Sequence, residues 1–145
     1  MISGLFDSGA TPVLERLVQF TDARQRVLTD DIANLSTPNY QPRDLSTAEF
    51  QTALRTAVDA RRSETGGDDA GPLEVEDTSE LKFKDQTIEA QPQASNENIM
   101  FHDQNNRDLE RTMQHLAENA LTHNAAIELL RMQYGIIQSA IEEKA

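Results

Sequence analysis

"LERTMQHLAENALTHNAAIELLRMQYGIIQSAI", residues 109–141, decides which folds this chain of 145 residues can adopt. Apolar residues recur along it at alternating steps of four and three, the a/d spacing of a heptad repeat. A helix of this length spans roughly 50 Å at about 1.5 Å per residue, more than the core of a small globular domain requires. Asn105 is its expected N-cap, with Asp108 at N3. The predicted seam comprises Leu109, Met113, Leu116, Ala120, His123, Ile127, Leu130, Tyr134, Ile137 and Ile141. Burial should be most complete at Ile127 and Leu130, in the middle of the heptad.

The N-terminal end carries a weaker copy of the same pattern. Thr11 can cap a helix with Pro12 at N1, where the missing N–H costs nothing. Leu17, Phe20 and Val27 form a second, adjacent stripe, so this helix has apolar surface for more than one neighbour. An amphipathic helix covering an ordinary core is the alternative interpretation. The predicted N-terminal seam comprises Leu14, Val18, Thr21, Gln25, Leu28, Ile32 and Leu35.

Both seams need a partner, and the simplest partner for each is the other. A chain that leaves along one helix and returns along the second forms an antiparallel coiled coil. The predicted fold class is therefore all-α, with long N- and C-terminal helices. Because one coiled-coil interface is narrow, further apolar stripes would stay exposed, which is typical of an interaction surface.

The centre of the chain is its most acidic part. The formal net charge is −12, and residues 63–106 carry two lysines against eleven acids. Such a segment buries little apolar surface to offset its ordering entropy, which predicts a weakly structured, partly disordered middle. "LEVE" (73–76) and "LKFK" (81–84) alternate as short strands do and could pair as a hairpin. The predicted division is a rod helix and turn in 1–45, a variable connection in 46–106 and the heptad helix in 107–145.

The composition argues against several classes of function. Clustered Lys and Arg, which neutralise phosphates, are missing, so we expect no nucleic-acid partner. No apolar run approaches the roughly 18 residues of a transmembrane helix, so we expect no direct membrane insertion. The chain has no cysteine, and its first ten residues lack the basic and apolar regions of a cleavable signal. Two pairs, His115 with Glu118 and His102 with Asp103, have the residue types of a carboxylate–histidine metal site. We expect His115 to be solvated instead, and we predict no enzyme, no metal site and no cofactor.

"ANLSTPNY", residues 33–40, predicts the end of the N-terminal helix. Thr37 precedes a proline and is biased to extended backbone, so the helix should stop near Leu35 or Ser36. Pro38 suits position i+1 of a type II turn, and Asn39 can take the positive φ at i+2. "STAE", residues 46–49, is a capping box that should start a second helix near Thr47 and end before Gly66.

The turn also resembles the A-N-x-x-T-P-G-Y signature of the bacterial flagellar rod, hook and axial protein family. "DQNNRDLERTMQHLAENAL" (103–121) resembles the D-G-N-x-V-D-L-E-x-E-M stretch that begins the C-terminal helix of rod members. Asn39, Gln104 and Arg107 depart from the usual Gly, Gly and Val. The residues that match the turn signature, with Asn39 at its glycine, are Ala33, Asn34, Thr37, Pro38, Asn39 and Tyr40.

This resemblance implies a structural subunit of the proximal rod of the flagellar basal body, required for motility and polymerising through its terminal helices. It implies export through the flagellar type III export apparatus without a cleaved signal, and a place in the periplasmic rod. The implied partners are other flagellar rod subunits, the basal-body ring protein and the rod-base adaptor. The alternative is a cytoplasmic type III secretion chaperone or adaptor, a class that folds as compact α/β dimers.

Overall fold

A computed structural model describes residues 9–65, 71–84, 87–94 and 109–142. Within these ranges the chain is mostly helical, but two small antiparallel sheets accompany the helices, so the all-α prediction is corrected. The predicted cap at Asn105 and Asp108 lies outside the described residues. The elements in chain order are α1 (Thr11–Ala33), β1 (Arg43–Asp44), α2 (Thr47–Glu64), β2 (Leu81–Phe83), β3 (Ile88–Ala90), β4 (Gln93–Ala94) and α3 (Leu109–Glu142).

Helix α1 begins one residue earlier than predicted, at Thr11 instead of Pro12. Ala10 is the N-cap and makes no side-chain hydrogen bond, whereas Thr11 is the first helical residue. The Thr11 hydroxyl is buried and has no hydrogen-bond partner among the described residues. The helix ends at Ala33, with Asn34 as its C-cap, slightly earlier than the predicted end at Leu35 or Ser36.

Helix α2 begins at Thr47 and ends at Glu64, as the sequence predicts. The Ser46 hydroxyl accepts the Glu49 backbone N–H at 3.2 Å, which is one half of the capping box. The other half is replaced by tertiary contacts. The Ser46 N–H donates to Glu80 Oε2 at 2.7 Å, and Glu49 Oε2 accepts from the Ser79 hydroxyl at 3.1 Å. The cap therefore also joins α2 to the segment before β2.

The two sheets each contain two strands. β2 pairs with β3, with Leu81 opposite Ala90, and β1 pairs with β4, with Arg43 opposite Ala94. "LKFK" does form a strand of a hairpin, but its partner is β3 and not "LEVE". The Thr78 N–H donates to Leu81 O at 2.8 Å in the turn between the two segments, and "LEVE" lies along α2 with Leu73 buried.

The central core lies between α1, α2 and the hairpin. Phe20, Leu45, Phe50 and Leu81 are at most 2% exposed. The Phe20 and Phe50 rings stack with centroids 4.1 Å apart, and Phe83 lies 6.4 Å from Phe50. The acidic middle, residues 63–106, contributes Leu81 to this core, and its Phe83, Ile88 and Ala90 pack against it. These described residues are therefore packed against the helices despite the surrounding charge, and the partial disorder of the connection stays a prediction.

Helices α1 and α3 pack antiparallel along one another. Side-chain hydrogen bonds join Tyr134 to Glu15, His123 to Thr21 and Asn119 to Gln25. Residues later in α3 therefore contact residues earlier in α1. The predicted antiparallel pairing of the terminal helices is confirmed, and the coiled-coil geometry stays a prediction. Among the helices within the described ranges, none has the length and hydropathy to span a membrane.

Candidate assembly surface

The turn after α1 has the predicted backbone. Asn34 Nδ2 donates to Asp30 O at 2.9 Å, and the Thr37 N–H donates to Asn34 O at 2.8 Å, which closes the end of the helix. Asn39 has φ of 60°, and the Tyr40 N–H donates to Thr37 O at 3.3 Å. The predicted positive φ at Asn39 is confirmed, because an asparagine tolerates the left-handed region that the turn requires.

A buried carboxylate holds this turn against the end of α1. Asp31 is 4% exposed, and its Oδ1 accepts the Tyr40 hydroxyl at 2.7 Å. The Arg43 backbone N–H lies 3.1 and 3.0 Å from its two oxygens. Burial raises the pKa of Asp31, although the hydrogen bonds from Tyr40 and Arg43 act in the opposite direction. Burial and the bond to Asp31 also raise the pKa of Tyr40 well above its ordinary value.

The sequence left two roles open for Tyr40, a contact residue or a cover over the helix end. In the structure Tyr40 is half-buried and covers the helix end through its bond to Asp31. Sequence reasoning did not single out Asp31. A signal was present, because Asp31 follows Phe20, Arg24 and Leu28 on the buried face of α1, where an acid needs a partner.

A second polar junction joins α1, β1 and α3 at Asp44. Arg24, which is 8% exposed, donates from Nε to Asp44 Oδ1 at 2.7 Å and from Nη2 to Oδ2 at 2.5 Å. His115 Nδ1 of α3 lies 3.3 Å from the same Oδ2. The expectation that His115 is solvated is therefore wrong. Its ring points into the space between three elements, which helical spacing alone does not show.

The contact between α1 and α3 is largely polar in its middle. The buried Asn119 donates to Thr21 O at 2.8 Å and to Gln25 Oε1 at 3.0 Å. His123 Nδ1 lies 2.8 Å from the Thr21 hydroxyl, so this seam histidine has a specific partner across the interface. Towards the far end, the Tyr134 hydroxyl donates to Glu15 at 2.7 Å, and this bond raises the pKa of Tyr134 to about 12. These directional bonds define one register for the helix pair.

The predicted seams are only partly buried in the single subunit. Burial is most complete at Asn119 and Ala126 instead of the expected Ile127 and Leu130, because α3 is rotated slightly from the a/d positions. In the N-terminal seam, Thr21 and Leu28 are buried, and the half-buried members are Leu14, Val18, Gln25, Ile32 and Leu35. In the C-terminal seam, the half-buried members are Leu116, Ala120, His123, Ile127, Leu130 and Ile137, and the exposed ones are Leu109, Met113, Tyr134 and Ile141.

An apolar surface that the heptad analysis missed runs along the outside of α3. We call it the outer stripe, and its members are Leu121, Leu129, Met132 and Ile136. Successive residues of a helix are about 100° apart around its axis, so these four side chains fall within an arc of roughly 80°. The buried Asn119 and Ala126 lie about 100° around the helix from the centre of that arc. No charged side chain interrupts this arc between residues 121 and 140. The outer stripe comprises Leu121 (72% exposed), Leu129 (49%), Met132 (62%) and Ile136 (58%). Its spacing of eight, three and four residues is present in the sequence, where the more regular seam obscured it.

The described residues offer little to a metal ion. They contain no group of three or more His, Asp or Glu arranged to hold a metal. Glu118 accepts a hydrogen bond from Gln114, while His115 faces Asp44. The candidate metal pair of His115 and Glu118 therefore does not form. The other candidate pair, His102 with Asp103, lies outside the described residues.

Comparison with known proteins adds an independent observation. No protein-family model matches the chain. The chain is similar to a flagellar rod protein. Over 134 residues it is 23% identical to the flagellar basal body rod protein FlgB of Bacillus subtilis (strain 168), which covers 92% of this chain and 94% of FlgB. The alignment with FlgB leaves out few residues, so it takes in both terminal helices and the middle.

Proposed function

We propose that this chain is a structural subunit of the proximal rod of the bacterial flagellar basal body. The observation that carries the proposal is the similarity to FlgB along nearly the whole length of both chains. The turn signature at residues 33–40 adds support, since its Asn39 adopts the positive φ that the usual glycine would supply.

The subunit polymerises through its terminal helices. The exposed outer stripe and the half-buried seams give α3 apolar surface on more than one side after α1 has docked. Surfaces of this kind on one subunit suit a heterologous contact, which generates an open helical assembly when the rotation does not close. In the assembled rod the two terminal helices form the antiparallel coiled coil, with neighbouring subunits covering the remaining stripes.

The same proposal sets the subunit's route, location and partners. It is exported through the flagellar type III export apparatus without a cleaved signal and resides in the periplasmic rod. Its neighbours are other rod subunits, the basal-body ring protein and the rod-base adaptor. It binds no cofactor and no nucleic acid, and it does not insert into the membrane.

The outer stripe provides a direct test of assembly. Leu129→Asp should leave the free subunit folded, because Leu129 is 49% exposed there. In the rod the new carboxylate would be buried without a partner, which costs several kcal/mol. Cells that carry only this variant should be non-motile, and their purified basal bodies should lack the subunit. Leu129 separates an assembly defect from a folding defect better than Ile127 does, because Ile127 is half-buried in the free subunit.

The matched control is Asn124→Asp. It introduces the same charge at an exposed position of α3, outside the outer stripe. This variant should assemble and support swimming. Circular dichroism and urea unfolding of both purified variants establish that they fold alike. If Leu129→Asp enters basal bodies at wild-type levels, the outer stripe is not an assembly surface. If deletion of the gene leaves motility intact, the rod function itself is wrong.

A further inference from the structure

A groove runs along α2 on the side of the molecule away from the seams. Its volume is about 770 Å³, and its other wall is the extended segment 71–78. Small side chains form its floor, so a partner's backbone could approach the helix closely. The floor residues are Ala48, Thr52, Ala53, Thr56, Ala57, Ala60 and Pro72. We call this feature the acidic groove because of the charges along its rim.

The rim of the acidic groove is strongly negative. Five carboxylates line it, against the single guanidinium of Arg61, which gives a net charge of −4 from these lining residues. Arg61 itself is 5% exposed and donates to Gly9 O at 3.0 Å, so its charge is held beneath the groove. The rim carboxylates are Glu49, Glu64, Glu74, Glu76 and Asp77.

The carboxylates are spread along the groove instead of converging on one point. Glu49 and Glu64 are fifteen residues apart on α2, a separation of roughly 22 Å at about 1.5 Å per residue. The other three follow one another along the facing segment. The groove thus has carboxylates along both walls, on α2 and on segment 71–78, with small side chains between them. This arrangement matches an elongated ligand that carries positive charge on both sides.

We propose that the acidic groove binds a basic segment of a partner protein, with lysine or arginine on both flanks and small apolar side chains facing the floor. Charge complementarity selects this occupant. A second copy of this chain is disfavoured because its own net charge is −12. The proposal gives the acidic middle a binding role, and it does not depend on the rod function.

A short synthetic peptide provides the probe. The groove follows α2 for roughly 25 Å, and extended backbone advances about 3.3 Å per residue, so about eight residues fill it. A fluorescein-labelled peptide of alternating lysine and alanine should bind saturably in an anisotropy titration, more weakly as salt rises. A glutamate–alanine peptide should not bind. Amide NMR shifts caused by the lysine peptide should concentrate in α2 and residues 71–78. Shifts spread over the whole surface would overturn the proposal.

Two pairs of variants separate groove binding from diffuse attraction to an acidic protein. Ala60→Leu fills the floor without changing charge and should weaken binding roughly tenfold, equivalent to about 1.4 kcal/mol. Its control, Ala117→Leu, makes the same change at an exposed site on α3 and should have no effect. Glu74→Lys with Glu76→Lys should abolish binding.

The control for the charge reversal is Glu110→Lys with Glu142→Lys, which changes the net charge equally at exposed sites on α3. This control should retain most of the affinity. Circular dichroism confirms that every variant is folded. If the two reversals weaken binding equally, or if Ala60→Leu binds like wild type, the attraction is diffuse and the proposal fails.

Discussion

Asp31 shows how one side chain connects the end of α1 to the turn that follows. Its carboxylate accepts hydrogen bonds from the Tyr40 hydroxyl and the Arg43 N–H, residues nine and twelve positions further along the chain. A hydrogen bond to an ionised carboxylate is stronger than one to a neutral acceptor, whereas burial disfavours the ionised form of the carboxylate. The balance at Asp31 favours the protonated form relative to an exposed aspartate, since its pKa lies above the ordinary value of 3.8.

This balance predicts an unusual pH dependence at Asp31. Because the folded state binds the proton more tightly than the unfolded chain, the associated stabilisation is complete below pH 3.8 and is lost as pH rises through the folded pKa. The free energy of unfolding of wild type, minus that of Asp31→Asn, should therefore fall as the pH is raised above 3.8. Urea unfolding at several pH values measures this difference.

Asp59→Asn supplies the baseline for that measurement, because it removes one carboxylate from an exposed position on α2. Subtracting its curve isolates the contribution of the buried site from the general effect of net charge. A difference for Asp31→Asn that rises with pH would show that hydrogen bonding outweighs burial at this carboxylate.

At the scale of the elements, Asp44 is the junction on which α1, β1 and α3 depend. It receives two hydrogen bonds from the guanidinium of Arg24 and also faces His115. The Arg24 side chain is 9% exposed, so it relies on Asp44 to compensate its lost hydration. The connection after the turn is thus held to α1 by a charged pair and contacts α3 at His115.

Removing one partner of this buried pair should be costly. Asp44→Ala leaves the Arg24 guanidinium buried without its carboxylate, which typically costs about 3–5 kcal/mol in the free energy of unfolding. The double variant Arg24→Met with Asp44→Leu should recover most of that loss, because neither charge is then buried. Guanidinium unfolding of the two variants and the wild type measures both effects. A double variant no more stable than Asp44→Ala would show that the pair acts through geometry and not through charge compensation.

At the scale of the whole molecule, the core and the C-terminal helix are separate layers joined by α1. The apolar core lies between α1, α2 and the β2–β3 hairpin, whereas α3 is tied to α1 mainly by polar contacts in its middle. Tyr134 bonds Glu15 near the start of α1, and beyond it Ile136 is 58% and Ile141 is 51% exposed. The C-terminal end of α3 is therefore less covered than its middle, where Asn119 and Ala126 are buried.

Hydrogen exchange of the dilute protein should reveal these layers. Amides near Phe20 in α1 and Phe50 in α2 should exchange most slowly, because their opening disrupts the core. Amides around Asn119 and Ala126 should be intermediate, and residues 137–142 should exchange fastest. Mass spectrometry of peptic fragments resolves these three groups. Uniform strong protection across residues 109–142 would instead indicate that α3 belongs to the same cooperative unit as the core.

Local chemistry alone determined several features of this protein. The start of α2 follows from the Ser46 cap, and the turn after α1 follows from Pro38 and from the tolerance of Asn39 for positive φ. The a/d spacing predicted the long C-terminal helix and its antiparallel partner. These features depend on neighbouring residues or on helical periodicity, both of which are visible in a single sequence.

Tertiary structure alone decided the core and the candidate sites. The core forms where Leu45, Phe50 and Leu81 converge from separate segments, and the acidic average of residues 63–106 conceals the contribution of Leu81. The heptad predicted that α3 packs on this general side, but the slight rotation that buries Asn119 and Ala126 is visible only in the helix pair, where Asn119 donates to Thr21 O. The Asp31 and Asp44 junctions and the acidic groove likewise join residues distant in sequence. Composition and periodicity describe one segment at a time, whereas burial and charge pairing depend on which segments meet in space.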